Sequence, residues 1–215
     1  MDPSQQAFEF LQAGDAAALQ QLLEQHPAAS EARDATGVSL LMHSIYRGRR
    51  DLAELIAGKK QLDVFEAASL GRLDRLGECL RDASAINSYS KDGFTALHFA
   101  CFFGQPEAAR LLIDSGAAID AAAANPMQVM PLHSAASTRN FEAARLLLEH
   151  GAAVNARQQG GWVPIHAAAQ NGDCPMIDLL LKHGADPGLA NDEGKTPAMV
   201  AREKGHEEIA ILLGK

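Results

Sequence analysis

The chain has 215 residues, of which 47% are hydrophobic, so it can bury a sizeable core and is not a disordered polymer. Its 27 acidic residues outnumber its 19 basic residues, and the formal net charge of −8 argues against general affinity for nucleic acid or for an anionic membrane. The N-terminal "MDPSQQAFEFLQAGD" lacks the basic and apolar regions of a signal peptide, and no apolar run approaches membrane-spanning length.

The three cysteines, Cys79, Cys101 and Cys174, are odd in number and form no C-x-x-C pair. The sequence therefore predicts neither a disulfide framework nor a zinc site. Free thiols are typical of a reducing compartment. We expect a cytoplasmic protein.

In chain order, seven short segments each open a unit of similar pattern. The first three read "AFEFLQAG", "LMHSIYRG" and "VFEAASLG", and each places a residue six positions before a glycine: Phe8, Met42 and Phe65. The next four read "FTALHFACFFG", "VMPLHSAASTR", "WVPIHAAAQNG" and "KTPAMVAREKG". They place the equivalent residues at spacings of 35, 33 and 33, namely His98, His133, His166 and Met199.

A second apolar segment follows each of the last four, in "AARLLIDSGA", "AARLLLEHGA", "MIDLLLKHGA" and "EIAILLGK". Its apolar residues recur at intervals of three and four, which is the helical period. Glycines at the segment ends favour helix termination. Each unit is therefore predicted to be two short helices, and stacked copies must supply the core because neither helix could bury its apolar face alone.

These segments resemble the signature of the ankyrin repeat family, T-P-L-H-x-A-A with a period near 33 residues. "PLHSAA", "PIHAAA" and "ALHFAC" each keep the apolar residue, the histidine and the small residues in order. The resemblance implies an all-α fold, an α-solenoid of about seven helix-turn-helix units with short β-hairpin fingers. We expect a single domain over residues 1–215, with an N-terminal cap over about 1–33 and a C-terminal cap over about 191–215.

Two units depart from the family pattern. Met42 and Phe65 are only 23 residues apart, so the repeat over about 37–60 is predicted to lack its finger and to turn directly from one helix to the next. The unit of His133 is two residues longer, in "DAAAANPMQVM", which predicts a longer finger. Arg139 stands where other units have a glycine, which leaves the end of that helix open.

The repeated histidines are not expected to do chemistry. The resemblance implies that each ring bridges backbone groups of neighbouring fingers. Repeats stack roughly 10 Å apart, which is too far for neighbouring imidazoles to share a metal ion at about 2 Å. The sequence has no Ser-His-Asp order, Walker loop or H-E-x-x-H motif. We therefore predict no catalytic residue, no bound metal and no cofactor: the protein is not expected to be an enzyme.

In ankyrin repeat proteins, partners usually contact the concave side, which finger tips and first helices form. Six of the eleven aromatic residues map to these positions, an enrichment typical of interface anchors. Asp92, Val129, Ser137 and Gln159 map beside them. The candidate partner-binding residues are Tyr46, Arg47, Tyr89, Lys91, Phe94, Phe102, Phe103, Met127, Thr138, Arg157, Trp162, Gln170 and Asn171.

Structural roles are alternatives for several of these residues. Phe94, Phe102 and Phe103 could fill the space of the missing finger as substitute core against Leu70 and Tyr46. Two consecutive residues of a helix point about 100° apart, however, so at least one of the Phe102–Phe103 pair should remain exposed. Packing on a neighbour is the alternative for Trp162. Lys91, Arg157 and Arg47 could be ordinary solvated charges.

The predicted function is that of a protein-interaction scaffold or adaptor. The alternative is a regulatory or inhibitory subunit that masks a partner enzyme. In both cases the partner is another protein, whose identity the sequence leaves open, and we expect neither nucleic acid nor membrane as a partner. The chain alone is expected to be a monomer.

Overall fold

A computed structural model describes residues 2–214, and seven helix-turn-helix units follow one another within them. The first helices are α1 (Pro3–Ala13), α3 (Leu40–Tyr46), α5 (Val64–Leu70), α8 (Ala96–Phe102), α10 (Pro131–Ser137), α12 (Pro164–Asn171) and α14 (Pro197–Glu203). The second helices are α2 (Ala16–Gln25), α4 (Arg50–Ala57), α6 (Leu73–Cys79), α9 (Pro106–Asp114), α11 (Phe141–Glu149), α13 (Cys174–Lys182) and α15 (Glu207–Leu213). The connections hold a one-turn helix and two 3-10 turns, namely α7 (Ala83–Ile86), Pro27–Glu31 and Gln159–Gly161. The predicted all-α repeat fold is confirmed.

Several first helices begin where the repeat pattern supplies a cap. The hydroxyl groups of Ser39, Thr95 and Thr196 each accept a hydrogen bond from the backbone N–H three residues further on. Helices α10, α12 and α14 carry proline at the first helical position, where a missing N–H costs no helical hydrogen bond. Within residues 2–214, none of the helices is long and apolar enough to cross a membrane.

Contacts divide the chain into two compact units, the first ending at Glu66 and the second beginning at Ala67. In the first unit, α1 packs on α3 and α2 packs on α4, around buried leucines that include Leu23 and Leu52. In the second unit, α8, α10, α12 and α14 contact one another in chain order, and α9, α11 and α13 form a row beside them. Each core is thus made between neighbouring helix pairs.

The fingers are tight turns rather than β-hairpins, which corrects that detail of the expected fold. Single backbone N–H···O=C bonds close four of them, between residues four apart: 34 and 38, 90 and 94, 158 and 162, and 191 and 195. The finger before His133 is closed between Ala123 and Val129, six residues apart, so the predicted two-residue extension is present. In the described residues, the single bridge between Arg33 and Ser39 is the sole β-pairing, because the fingers are too short for a ladder.

No finger separates α4 from α5. Helix α4 ends at Ala57 and α5 begins at Val64, the direct connection that the 23-residue spacing predicts. The residues that fill this connection could not be predicted from the repeat pattern. The Lys60 side chain is 1% exposed and lies 2.9 Å from the fully buried Glu66 carboxylate, which also accepts a hydrogen bond from the Ser39 hydroxyl at 2.6 Å. A buried, hydrogen-bonded ion pair therefore occupies the connection, with Glu31 as a second partner of Lys60 at 2.9 Å.

Arg139 adopts the conformation that glycine adopts in the other units. Its φ is 61°, close to the 65° of Gly104 and the 70° of Gly172. Helix α10 nevertheless ends as its neighbours do, after Ser137. The arginine therefore bears a backbone strain that a glycine at this position would avoid.

Candidate functional site

Within the second compact unit, which begins at Ala67, backbone hydrogen bonds join neighbouring fingers to one another. The Ala124 N–H donates to Gly93 O at 2.8 Å, Gln159 N–H donates to Met127 O at 3.0 Å, and Asp192 N–H donates to Gly160 O at 2.9 Å. Gly93 has a φ of 86°, and a Cβ at this position would lie 2.8 Å from the backbone of Ala124. The close approach of the first two of these fingers therefore requires glycine at position 93, and the backbone bonds fix the relative positions of the fingers.

The repeated histidines also join the fingers. The Nδ1 atoms of His98, His133 and His166 accept hydrogen bonds from backbone N–H groups three residues earlier, each at 3.2 Å. Their Nε2–H groups donate to carbonyl oxygens of the next finger, those of Val129 at 2.9 Å, Trp162 at 3.3 Å and Lys195 at 3.0 Å. The structural role predicted for these rings is present in all three units.

These histidines are neutral at pH 7. Burial lowers the pKa of His98 and of His166, and it lowers the pKa of His133 to about 4. Both nitrogens of each ring are already occupied by backbone groups, so none is poised as a general base. Within residues 2–214, no cluster of three or more His, Cys, Asp or Glu side chains could hold a metal ion.

A groove crosses the three repeats that contain α8, α10 and α12, and it is hereafter called "the groove". It has a volume of about 210 Å³. With His133 neutral, none of its lining side chains carries a charge at pH 7. They are Phe94, Phe102, Met127, Val129, His133, Ser134, Ser137, Gln158, Trp162, Val163 and Ala167.

Exposure distinguishes the rim of the groove from its floor. Phe102 and Met127 are 43% and 48% exposed and form the rim. His133, Ser134 and Val163 are buried at 4%, 6% and 1% exposure and form the floor. The groove is therefore an apolar mouth over a floor that contains one hydroxyl and one imidazole.

An aromatic series supports the rim on one side. The Phe94 ring packs against Phe99 at a centroid distance of 5.7 Å, Phe99 stacks on Phe103 at 6.3 Å, and Phe103 meets Phe102 edge to face at 5.0 Å. Phe99 is buried, Phe94 and Phe103 are half-buried, and Phe102 is exposed. The expectation that at least one residue of the Phe102–Phe103 pair is exposed is confirmed. Phe103 lies on the core side of the pair.

Four of the predicted partner-binding residues line the groove: Phe94, Phe102, Met127 and Trp162. Val129 and Ser137, mapped beside them, line it as well. Lys91 and Gln170 are exposed outside it. In the first compact unit, Tyr46 is 43% exposed, and the Arg47 guanidinium contacts the His43 ring at 3.1 Å.

Other predicted residues make internal hydrogen bonds. The Tyr89 hydroxyl donates to Ala122 O at 3.0 Å, and the Arg157 guanidinium donates to Ala190 O at 2.7 Å. The Thr138 hydroxyl donates to Ser134 O at 2.9 Å within its own helix end. The Asn171 amide donates to Ala136 O and Ser137 O at 3.3 and 2.9 Å, which satisfies carbonyls at the end of α10. The side chains of Tyr89, Arg157 and Asn171 therefore join neighbouring repeats.

Sequence reasoning did not include five lining residues in the site: His133, Ser134, Gln158, Val163 and Ala167. His133 was assigned a structural role alone. A signal for two others was available, since Ser134 and Ala167 each follow the repeat histidine and so occupy the same position in successive units. Val163 directly follows Trp162 and Gln158 precedes it by four residues, and no other lining residue occupies the equivalent position in a neighbouring repeat.

Comparison with known proteins agrees with the architecture. The model of a family described as ankyrin repeats in three copies matches residues 64–158 and 153–215. This is more than half of the chain, which therefore belongs to the ankyrin repeat family. An ankyrin repeat domain-containing protein of Aspergillus oryzae, oryK, is 41% identical over 56 residues. That match covers 26% of this chain and 9% of the fungal protein. Ankyrin repeats are in general protein–protein interaction modules, and the family is typically non-catalytic.

Proposed function

We propose that this chain is a protein-interaction module that holds a segment of a partner protein in the groove. One observation supports the proposal above others. Phe102, Met127 and Trp162 come from three successive repeats, and they line a single uncharged surface. Apolar side chains exposed together at the mouth of a depression are typical of interaction sites.

The groove is organised in advance for binding. Its walls are fixed by the bonds between fingers at Gly93 and Met127 and by the histidine bridge from His133 to Trp162 O. A surface that is already ordered loses little conformational entropy when a partner binds. The free energy gained by burying the partner's side chain is therefore offset little by ordering of the groove.

The size of the groove favours a protein segment over a small-molecule ligand. Pockets for small molecules and cofactors usually enclose about 300–1,000 Å³. The groove has about 210 Å³ and carries no charged side chain that would orient a substrate, and both ring nitrogens of His133 are already bonded to backbone groups. A side chain projecting from a partner's backbone needs no larger space.

The further assignments are part of the proposal. We propose a scaffold or adaptor role, in which the chain positions its partner by reversible binding and performs no catalysis. Seven repeats acting as one domain, and a monomeric chain, fit this role. Cys79, Cys101 and Cys174 form no disulfide within residues 2–214, which supports a reducing compartment such as the cytoplasm.

The test is selection of binding peptides from a displayed random library, followed by affinity measurements on the full chain. Phe102→Ala should weaken groove-bound peptides by about 30-fold or more, as truncation of an interface hot spot does. Leu73→Ala is the matched control, because Leu73 is 40% exposed and lies outside the groove. Binders that tolerate Phe102→Ala and Met127→Ala as well as the control would contradict the proposal.

A further inference from the structure

The floor of the groove holds a hydroxyl group that the fold does not use. Ser134 is 6% exposed, and its backbone carbonyl accepts bonds from Ser137 and Thr138, each at 2.9 Å. Within residues 2–214, its side-chain Oγ makes no hydrogen bond. An occupant that covered this hydroxyl with carbon alone would leave a polar group buried and unpaired, which is unfavourable.

The volume of the groove fits one aromatic ring. A cavity of about 150 Å³ in another protein holds benzene. At about 210 Å³, this groove has room for a ring with an additional substituent. Its rim residues Phe102 and Met127 and its wall residue Trp162 offer the aromatic and thioether contacts that a ring prefers.

We propose that the occupant of the groove is a tyrosine side chain from the partner protein, with its ring between Phe102 and Trp162 and its phenol hydroxyl bonded to Ser134 Oγ. This inference rests on the proposed function and adds the chemistry of the partner to it. A lysine or glutamate in the same place would lose its hydration without meeting an opposite charge, since no lining side chain is charged at pH 7. Leucine and phenylalanine would fill the space but leave Ser134 unpaired.

The probes for this inference are p-cresol and toluene, the side chains of tyrosine and phenylalanine without their backbones. Trp162 is the single tryptophan of the chain and lines the groove, so its indole N–H signal in NMR spectra reports occupancy directly. We expect p-cresol to bind the full chain about three- to tenfold more tightly than toluene, the contribution of one hydrogen bond.

Ser134→Ala is the control variant, and it should abolish the preference for p-cresol. The substitution suits a helix, and Ala167 shows that alanine is accommodated at the equivalent position of the next repeat. Equal binding of the two probes by the unmodified chain would overturn the inference, as would a preference that persists in Ser134→Ala. No shift of the Trp162 signal with either probe would overturn it too.

Selected peptides separate this inference from the proposed function. Groove-dependent peptides should carry tyrosine at their anchor, and replacing that tyrosine with phenylalanine should weaken binding to the unmodified chain but not to Ser134→Ala. Groove-dependent peptides anchored by leucine would refute the tyrosine and leave the proposed function in place. Peptides indifferent to Phe102→Ala would refute the proposed function itself.

Discussion

Phe102 and Phe103 are neighbours in sequence but lie in different surroundings. Phe102 is 43% exposed at the rim of the groove. Phe103 is half-buried and stacks on the buried Phe99 with the ring planes 10° apart. The two rings also touch edge to face at 5.0 Å, so Phe103 supports Phe102 from the core side. Phe102 is thus accessible at the proposed binding surface, whereas Phe103 packs against the core.

Truncation of the two residues should therefore lower the stability of the fold by different amounts. Phe103→Ala should lower the free energy of unfolding by about 2 kcal/mol, less than the roughly 3–5 kcal/mol of a fully buried phenylalanine. Phe102→Ala should lower it by less than about 1 kcal/mol, because much of its ring is already in water. Urea denaturation measures both. Equal losses of 3 kcal/mol or more would mean that the pair is substitute core and that the groove is not a binding site.

Arg139 offers a second prediction at the residue scale. Its φ of 61° is unfavourable for a side chain with a Cβ, and its guanidinium donates to Asn171 O. Arg139→Gly should remove the strain, lose one exposed hydrogen bond and stabilise the chain by roughly 0.5–1 kcal/mol. The opposite change, Gly172→Ala, should destabilise, because its Cβ would lie 2.6 Å from the His206 ring. A less stable Arg139→Gly variant, measured by thermal denaturation, would refute this account.

Single residues were predictable from the sequence where the repeat pattern assigns them a position, and not where a distant partner decides their role. Phe102 and Trp162 follow from their places in the repeat. The Asn171 amide bonds to carbonyls 34 and 35 residues away, and the Arg157 guanidinium bonds to a carbonyl 33 residues away. The repeat pattern predicts that both side chains are exposed and available to a partner. In the structure both bond to the backbone of a neighbouring repeat, which residue spacing alone does not predict.

At the scale of helices and fingers, spacing predicts more. The extended finger before His133 and the direct connection from α4 to α5 follow from residue counts. The buried Lys60–Glu66 pair in that connection does not, since two charged residues six apart are usually solvated. Its formation depends on Ser39 and Glu31, which lie in other elements.

The stability of a helix pair should depend on its neighbours. Leu147 of α11 is completely buried, between pairs that flank it on both sides in the second unit. Leu147→Ala should therefore cost roughly 2–5 kcal/mol. Leu213→Ala in α15, whose side chain is 6% exposed, should cost clearly less because it packs against one neighbouring pair. Equal denaturation midpoints for the two variants would contradict nearest-neighbour stacking.

The histidine bridges predict a dependence of stability on pH. Burial holds the folded-state pKa values of His98, His133 and His166 below the ordinary value of 6.5, that of His133 at about 4. At a pH between the folded-state pKa of such a histidine and its ordinary pKa of 6.5, the unfolded chain binds more protons than the folded chain. Stability should therefore be fully present above pH 6.5 and should fall as the pH drops towards 4.

Substitution of His133 isolates the contribution of one histidine to this pH dependence. The His133→Gln variant should be less stable than the unmodified chain at pH 7.5. Between pH 6 and pH 4.5 its free energy of unfolding should fall less steeply, and the difference between the two slopes should be about 1.4 kcal/mol per pH unit, the contribution of one proton. Asp51 and Asp82 have pKa values lowered from 3.8 and so change charge below this range. Urea titrations at several pH values decide the question. Parallel slopes for the two proteins would show that His133 does not remain neutral in the folded state.

At the scale of the whole molecule, the repeat architecture brings residues that are distant in sequence onto one surface. The aromatic residue Phe102, the thioether of Met127 and the indole of Trp162 lie 25 to 60 residues apart in the chain. The finger-to-finger hydrogen bonds bring them to one groove in the second compact unit. If the groove binds a partner as proposed, the chain needs no rearrangement to do so, and the unpaired Ser134 hydroxyl is the group that selects the occupant.

Site-specific photocrosslinking in cells of the source organism tests the central claim most directly. The photoreactive residue p-benzoylphenylalanine replaces Phe102, Met127 or, as the control outside the groove, Leu73. We predict that the chains labelled at 102 and 127 crosslink to the same partner protein and that the chain labelled at 73 does not. Crosslinking of a common partner from position 73 but from neither groove position would contradict the account and place the binding surface elsewhere.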